Sequence, residues 1–324
     1  MNSLIGDDDE TATYESTSGA KSMMVSDQLS LKRLWPHASK RLMLLLAFDC
    51  TIAVLYSVYD FKFLALSGLP LAPLGSAITI FLAFRTNAAY GRWWEARQLW
   101  GNLVNTSRAL ARQFLTMLDE NFEDVEQIPL GRRLVLHQIA FVHALRCHLR
   151  RQNPFPELAG VLGADDAEQL RAYGNVPAAI NLKIGRMLKQ AREEGMIDSF
   201  RWTAIDENLT ALSNIQGACE RIKNTPLPRQ FDYLPRLLVN AFCWLVPFGL
   251  VGDLGLMTPV ASVLISFTFI AADVVSREIE DPFENTIHDT PMTSLSRMIE
   301  KNLREQMELP NTLRDVHPVE GFVY

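Results

Sequence analysis

The stretch LALSGLPLAPLGSAITIFLAF, Leu64–Phe84, runs for 21 residues without a charged side chain. A helix of about 20 apolar residues is long enough to span the hydrocarbon layer of a membrane, which is about 30 Å thick. The alternative, a core helix of a large soluble protein, is disfavoured because apolar core helices are usually shorter or carry a charge. The stretch therefore predicts a transmembrane helix.

Two further apolar runs lie on either side of it. Leu42–Tyr59 contains one acid, Asp49, and Leu237–Ala272 extends over 36 residues with one charged residue, Asp253. A helix of that length would measure about 54 Å, too long for a single crossing. The sequence Gly252-Asp253-Leu254-Gly255 has the composition of a turn and divides the run in two. We therefore predict four transmembrane helices arranged as two hairpins.

The basic residues indicate how these spans are oriented. Lysines and arginines precede the first and third spans and follow the second and fourth, whereas the two short connections hold only Lys62. The positive-inside rule therefore places both termini in the cytoplasm, with the chain as a multi-pass protein of the cell membrane. The first 30 residues contain no apolar segment of a secretory signal, and the acidic run Asp7–Glu10 argues against a transit peptide.

This topology divides the chain into five segments. They are residues 1–27, a disordered N-terminal tail; 28–84, the first transmembrane hairpin; 85–236, a cytoplasmic helical domain; 237–275, the second transmembrane hairpin; and 276–324, a cytoplasmic C-terminal segment.

Helical spacing of apolar residues dominates the central segment. Ala178–Gly195 and Trp202–Asn224 are predicted to be helices, and Glu120–Pro129 and Gln152–Gly163 are predicted to be connectors because they contain prolines and polar residues. No alternating strand pattern occurs in the sequence. The predicted fold class is therefore all-α throughout.

The composition excludes several classes of protein. The chain is 48% hydrophobic and 21% charged, with a net charge of −6, which offers no basic face for nucleic acid. Its four cysteines form no C-x-x-C pair, so neither a zinc site nor a redox site is indicated. No P-loop, G-x-G-x-x-G, G-x-S-x-G or H-E-x-x-H motif is present, and we expect no enzyme activity, cofactor or metal site.

Three histidines fall within one predicted helix. His137, His143 and His148 are separated by six and five residues, whereas two metal ligands on one helix face are usually four residues apart. We therefore interpret them as ordinary core or surface histidines.

Ionisable residues in or beside the spans are the first candidates for an ion path, because charges there are costly and tend to be functional. Asp49 and Asp273 qualify, although Asp273 lies near a cytoplasmic end where water could solvate it. In the second span, Ser76, Ile80 and Phe84 recur every four residues. If several copies met on one axis, these residues would form rings around a hydrophobic constriction. Ordinary helix packing produces the same spacing, so periodicity alone does not decide for a channel.

Three longer motifs resemble the bestrophin family, especially its bacterial and plastid branch. They are IFLAFRTNAAYGRWWEARQLWG (Ile80–Gly101), CERIKNTPLP (Cys219–Pro228) and EIEDPFENTIHDTPMTSLSRMIEKNLRE (Glu278–Glu305). With the four spans, the likeness covers about residues 25–308.

The resemblance implies a homo-oligomeric ion channel, a pentamer, that conducts small inorganic ions passively. By position, Ser76, Ile80 and Phe84 match the narrow neck of the family's pore, and Leu227 matches its cytosolic aperture. Ser76 departs from the bulky apolar residue usual at that position. The rival hypothesis is a membrane-anchored scaffold or sensor that conducts nothing.

The motifs do not decide which ion is conducted or whether calcium regulates conduction. Arg85, at the inner end of the neck, would favour anions, whereas Asp273 and the net negative charge would favour cations. The positive edges of phenylalanine rings favour anions, with chloride as the expected ion. Animal members bind calcium just after the motif that matches Asp281-Pro282-Phe283. Here that stretch offers only two acids and one amide, too few for the six to eight oxygen ligands of calcium, and we expect no calcium site.

Overall fold

The computed structural model describes residues 31–66, 68–119, 128–286 and 288–309, with side chains from residue 39 onward. Within these ranges the chain is helical and contains no strand, as predicted. The predicted disordered tail, residues 1–27, lies outside the described residues. The α-helices of the described ranges are α1 (Leu31–Ser57), α2 (Leu71–Thr116), α3 (Leu130–Leu149), α4 (Phe155–Leu162), α5 (Ala164–Gln169), α6 (Val176–Glu193), α7 (Ser199–Asn224), α8 (Arg229–Leu254), α9 (Thr258–Glu278) and α10 (Met292–Gln306).

One hydrophobic core joins α1, the first half of α2, α8 and α9. These four helices contain the four apolar runs of the sequence, and each contributes buried aliphatic or aromatic side chains to the shared core. The core residues are Leu42, Leu45, Ile78, Leu82, Val239, Phe242, Cys243, Val246 and Ile270.

The helix α2 is continuous over 46 residues, about 69 Å at the usual rise per residue. It passes without a break through Arg85, where the sequence changes from apolar to polar. It begins at Leu71, later than the charge-free stretch does, because Pro70 occupies its N-cap and Pro73 its first turn. A 3₁₀ turn, Lys62–Leu64, lies before it in the chain.

The predicted break in the long apolar run is confirmed at Gly255. Its backbone φ of 52° is a left-handed conformation that glycine adopts without strain. A 3₁₀ turn, Gly255–Met257, follows, and the Thr258 hydroxyl donates to the Gly255 carbonyl over 2.6 Å at the start of α9. The two halves of the run thereby form an antiparallel hairpin.

A second, larger core holds the remaining helices together. It is built from the second half of α2 with α3, α6, α7 and α10, and side chains such as Trp100, Leu134 and Leu212 are fully buried in it. The helices predicted at Ala178–Gly195 and Trp202–Asn224 are confirmed as α6 and α7 with small shifts of their ends.

One predicted connector is wrong. Gln152–Gly163 contains α4, which buries Leu158 against the second core. Pro154 is the N-cap of this helix and Pro156 lies in its first turn, where the missing N–H has no helical partner to lose. The prolines therefore start a helix here, whereas the prediction had treated them as breakers.

By length and composition, one helical region of the described chain satisfies the criteria for crossing a membrane. It lies within Ser199–Glu278, and its most apolar window has a mean hydropathy of 1.9 with 28% of its residues buried inside the protomer. In α1 the charged residues Lys40, Arg41 and Asp49 lower the apolar content, and α2 starts only at Leu71.

Candidate ion pathway

One face of α2 remains uncovered by the rest of the protomer. Ile80 is 56% exposed and Phe84 is 62% exposed, and Ser76 is exposed one turn before them. At about 100° per residue, these positions lie roughly opposite the buried face of the same helix, which includes Ile78 and Leu82. Among the described residues, the three residues proposed for the neck therefore share one face that is largely exposed.

The same face changes character along the helix. Its apolar residues are followed toward the second core by Asn87, Gly91 and Gln98, all exposed. The Ser76 hydroxyl donates to the Ala72 carbonyl over 2.9 Å, so its polar donor is already engaged by the backbone. A short apolar section, with Ile80 and Phe84 about 6 Å apart along the axis, thus leads into a long polar section.

Arg85 lies on the buried side of α2 and is 1% exposed. Its guanidinium contacts Asp273 of α9 at 2.5 Å, Asp232 of α8 at 2.6 Å and Glu280 at 3.4 Å. Arg277 contacts Asp273 at 2.6 Å. These side chains form an ionic layer between the two cores. Its members are Arg85, Asp232, Arg236, Asp273, Arg277 and Glu280.

The ionic layer contains equal numbers of arginines and acids, so its formal charge is zero. Arg85 and Asp273, which the sequence suggested as opposing ion-path charges, are partners in one pair. Because opposite charges at this distance largely cancel their fields, neither presents a free charge to the exposed face of α2. The geometry assigns them to holding α2, α8 and α9 together, and a role in the ion path stays a prediction.

Asp49 is placed on α1, away from the exposed face of α2. It is fully buried, and Ser262 of α9 lies beside its carboxyl group. Neither of its carboxylate oxygens has a hydrogen-bond partner among the described residues.

Leu227 lies in the connection between α7 and α8. The neighbouring Thr225 carbonyl accepts a hydrogen bond from Arg92 of α2 over 2.5 Å. Arg92 follows Phe84 by eight residues, about 12 Å along the helix. Leu227 is half-buried, and the segment that carries it meets α2 about two helical turns beyond Phe84.

The sequence interpretation missed Phe200, whose side chain is 89% exposed at the start of α7. The adjacent Arg201 contacts Asp119 at 2.9 Å beyond the last turn of α2, so Phe200 lies at the far end of the protomer, about 50 Å from Phe84. The buried residues of α7, such as Ile205 and Leu209, lie roughly 150° around the helix from it. That spacing is a signal that could have identified an exposed aromatic residue.

The loop after Phe283 folds around its own acid. Asp289 is buried, and its carboxylate accepts hydrogen bonds from the Thr286 amide at 3.1 Å and the Thr286 hydroxyl at 2.5 Å. Burial raises the pKa of Asp289, while the donors of the loop act in the opposite direction. Glu284 is engaged by Lys223 at 2.5 Å. Both acids that could have ligated calcium therefore face protein donors.

A second buried ionic cluster lies in the second core. His143 Nε2 is 2.8 Å from Glu300 and its Nδ1 is 3.1 Å from Glu157, which also pairs with Arg146. Burial opposes protonation of His143, but the two carboxylates outweigh it and raise its pKa. Contact with His143 lowers the pKa of Glu157 to about 2. His143 is thus more than an ordinary core histidine, since it links α3, α4 and α10.

Among the residues that the structure describes, no group of three or more His, Cys, Asp or Glu side chains is arranged to hold a metal ion.

Comparison with known proteins identifies the family. Residues 29–305 match the sequence model of the family described as Bacterial/Fungal Bestrophin protein. A voltage-dependent anion channel-forming protein of Ralstonia nicotianae is 39% identical over 246 residues, covering 76% of this chain and 79% of that protein. The voltage-dependent anion channel-forming protein YneE of Escherichia coli K12 is 36% identical over 275 residues, covering 84% and 88%.

The fold agrees with the sequence match. The crystal structure of a bacterial bestrophin homolog from Klebsiella pneumoniae is similar with a TM-score of 0.76 at 34% identity, and the match covers 84% of this chain and 99% of that one. The resemblance read from the three sequence motifs is thereby confirmed over most of the chain. The chain is a membrane protein that belongs to the bacterial and fungal bestrophin family.

Proposed function

We propose that the chain is one subunit of an anion channel whose pore is lined by the exposed face of α2. The observation that carries this proposal is the face formed by Ser76, Ile80 and Phe84, which the protomer leaves uncovered. Large apolar side chains exposed together mark an interface or a pathway. The channel-forming names of the relatives favour a pathway over a packing surface and over an enzyme.

A pore requires several copies, because one α2 helix cannot enclose a passage. Identical subunits arranged around an axis would bring the Ile80 and Phe84 side chains together as two rings about 6 Å apart. Such rings exclude water and form a gate that opens by wetting. A homopentamer is the assembly that we propose on the strength of the family resemblance.

The proposed topology has four crossings, by α1, the first half of α2, α8 and α9. Exposed apolar residues on the outer surfaces of these helices support it, among them Leu44 and Val54 on α1 and Val260 and Leu264 on α9. The ionic layer lies at the ends of the helices that carry the basic clusters. Both termini and the second core would then lie in the cytoplasm.

Anion preference, with chloride as the expected ion, cannot rest on Arg85, whose charge is balanced inside the ionic layer. Phe84 supplies a better reason, since the edge of an aromatic ring carries positive potential. Further along the pathway, Leu227 remains the proposed aperture from the resemblance. Phe200 is a second candidate, because an almost fully exposed aromatic side chain at the end of the protomer needs a role.

Planar-bilayer recording of purified protein under asymmetric chloride tests the proposal. We expect currents whose reversal potential approaches the chloride equilibrium potential, and an assembly larger than a monomer in detergent. The scaffold hypothesis expects a protein that conducts nothing and can remain monomeric. A reversal potential near the cation equilibrium potential would support ion conduction but contradict the proposed anion selectivity.

A further inference from the structure

A cavity of about 300 Å³ lies between α3, α4 and α10, on residues that the proposed ion pathway does not use. Five of its lining side chains are ionisable, and the rest of its wall is formed by small or apolar residues of α4. The ionisable residues are His143 of α3, Glu157 of α4, and Arg297, Glu300 and Arg304 of α10. Charged groups from three helices therefore meet around one space.

The two arginines of the cavity lie on one face of α10. Arg297 and Arg304 are seven residues apart, about two helical turns, and Glu300 lies between them. Glu300 accepts a hydrogen bond from Nη1 of Arg297 over 3.4 Å and from Nε of Arg304 over 3.0 Å. Nε and Nη2 of Arg297 and Nη1 of Arg304 have no hydrogen-bond partner among the described residues. The arginine side chains are 39% and 21% exposed, so a ligand entering from solvent can reach these N–H groups.

Positive charge exceeds negative charge around the cavity. Arg146 of α3 is buried and pairs with Glu157, and His143 lies between Glu157 and Glu300. Burial opposes protonation of His143, but the two carboxylates outweigh it and raise its pKa. With His143 protonated, four cations including the two arginines of α10 surround two carboxylates. The formal surplus is two positive charges, whereas the ionic layer beside the neck is balanced.

We propose that this cavity binds a phosphate group. Guanidinium N–H groups form charge-assisted hydrogen bonds, often in pairs, with the oxygens of such anions. The two glutamates would repel an anion that can only accept hydrogen bonds. Hydrogen phosphate has two negative charges and keeps one proton, so it can donate to Glu157, which is 35% exposed, while its other oxygens accept from the arginines. Sulfate has the same charge and shape but no proton to donate near neutral pH, and chloride has none either.

A bound phosphate would connect three helices of the second core. It would contact α4 and α10 directly and α3 through His143. The helix α10 also contacts α2, since Nη2 of Arg108 donates to the Asn302 side chain over 2.6 Å. The ligand would therefore stabilise the packing around the second half of α2 without entering the proposed pore.

Thermal unfolding in detergent near neutral pH tests the proposal on the wild-type protein. Sodium phosphate and sodium sulfate are compared at equal ionic strength, because both salts strengthen apolar burial in general and sulfate controls for that effect. Binding to the folded state predicts a midpoint that rises further in phosphate than in sulfate and follows ligand linkage. Equilibrium dialysis with radiolabelled phosphate measures the affinity directly. Glycerol phosphate as a competitor distinguishes a site for phosphate esters, which it displaces from, from a site for the free ion alone.

Matched variants connect the effect to the cavity. Arg297→Gln should weaken phosphate binding about tenfold, the loss expected for one charge-assisted hydrogen bond. Glu157→Gln removes the charged acceptor and should reduce the preference for phosphate over sulfate. The control is Arg108→Gln, which removes an exposed arginine that contacts α10 outside the cavity and should keep wild-type binding.

Two results would overturn the proposal. Equal midpoints of the wild-type protein in phosphate and sulfate, with no phosphate retained in dialysis, would show that the cavity does not recognise phosphate. Phosphate binding that is unchanged in both Arg297→Gln and Glu157→Gln would place the ligand elsewhere. Both results are independent of conduction, because a scaffold that conducts nothing would still bind phosphate in this cavity.

Discussion

Replacing Arg85 by methionine should weaken the packing of α2 against α8 and α9 and leave ion selectivity unchanged. Arg85 and Asp273 are 1% and 3% exposed as side chains, so their contact is a buried ion pair. Removing one partner of such a pair typically costs about 3–5 kcal/mol, because the other charge stays buried without compensation. Asp273 retains Arg277 at 2.6 Å, and Asp232 retains Arg236 at 3.1 Å. We therefore expect Arg85→Met to lower the free energy of unfolding by about 3 kcal/mol, the lower limit of that range.

A second variant separates charge from packing. Arg85→Met leaves the ionic layer with one carboxylate in excess, and adding Asp273→Asn restores equal numbers of arginines and acids, so the double variant should recover a large part of the loss. The matched control is Arg201→Met, which removes an arginine from an exposed pair with Asp119 and should cost no more than about 1 kcal/mol. Thermal midpoints in detergent, compared at one scan rate, measure these differences.

Bilayer recording of the same variants decides between a structural and a conducting role. If Arg85 holds helices together, the fraction of channels that survives Arg85→Met keeps the wild-type reversal potential. A variant of full stability whose reversal potential moves toward the cation value would refute the structural interpretation. Arg85 would then be an ion-path charge, as its position in the sequence suggested.

The other predictions concern the neck, the far constriction, pH and calcium. Alanine at both Ile80 and Phe84 should widen the neck and raise single-channel conductance; unchanged currents in a folded variant would remove both residues from the pore. Leu227→Ala and Phe200→Ala are compared by relative permeability to anions of different size, and the residue whose variant leaves these ratios unaltered does not form the aperture. Because the pKa of His143 is raised above 6.5, its stabilising contribution is complete below pH 6.5 and is lost as the pH rises through the folded value. The thermal midpoint should fall over that pH range, and its pH dependence should be flatter in His143→Gln. An equally steep fall in both proteins would contradict a stabilising role for protonated His143. Open probability should not respond to calcium from about 10⁻⁷ to 10⁻⁵ M, and a reversible rise would reveal a site.

Local patterns in the sequence were sufficient for most of the helices. The turn at Gly255 follows from residue types that favour left-handed backbone, and it was predicted correctly because it depends on neighbours within one or two turns of helix. The four-residue repeat placed Ser76, Ile80 and Phe84 on one face of α2, but their place in a pore stays a prediction. α4 was missed because proline breaks a helix from within but is tolerated at its start, which is where Pro154 and Pro156 lie.

The contacts that define the site were beyond local patterns. Arg85 meets Asp273 across 188 positions, and His143 meets Glu300 across 157. The residues next to each of them in the sequence do not indicate its partner, because the partner depends on how the helices pack. The sequence therefore identified the charges at the inner end of the neck but assigned them to opposite preferences, whereas the fold joins them as one pair.

The continuity of α2 restricts how the neck can open. The rings proposed at Ile80 and Phe84 lie on the same unbroken helix as Trp100 of the second core. A helix bends sharply only at prolines or where its hydrogen-bond ladder is interrupted, and α2 contains a single proline, Pro73, in its first turn. The ionic layer also fixes α2 to α8 and α9 just below the neck. A hinge at Arg85 is therefore disfavoured, and widening of the neck requires either rotation of the Phe84 side chain or tilting of α2 as a whole. Tilting would move the second core as well, so α2 would couple rearrangements of the second core to the neck.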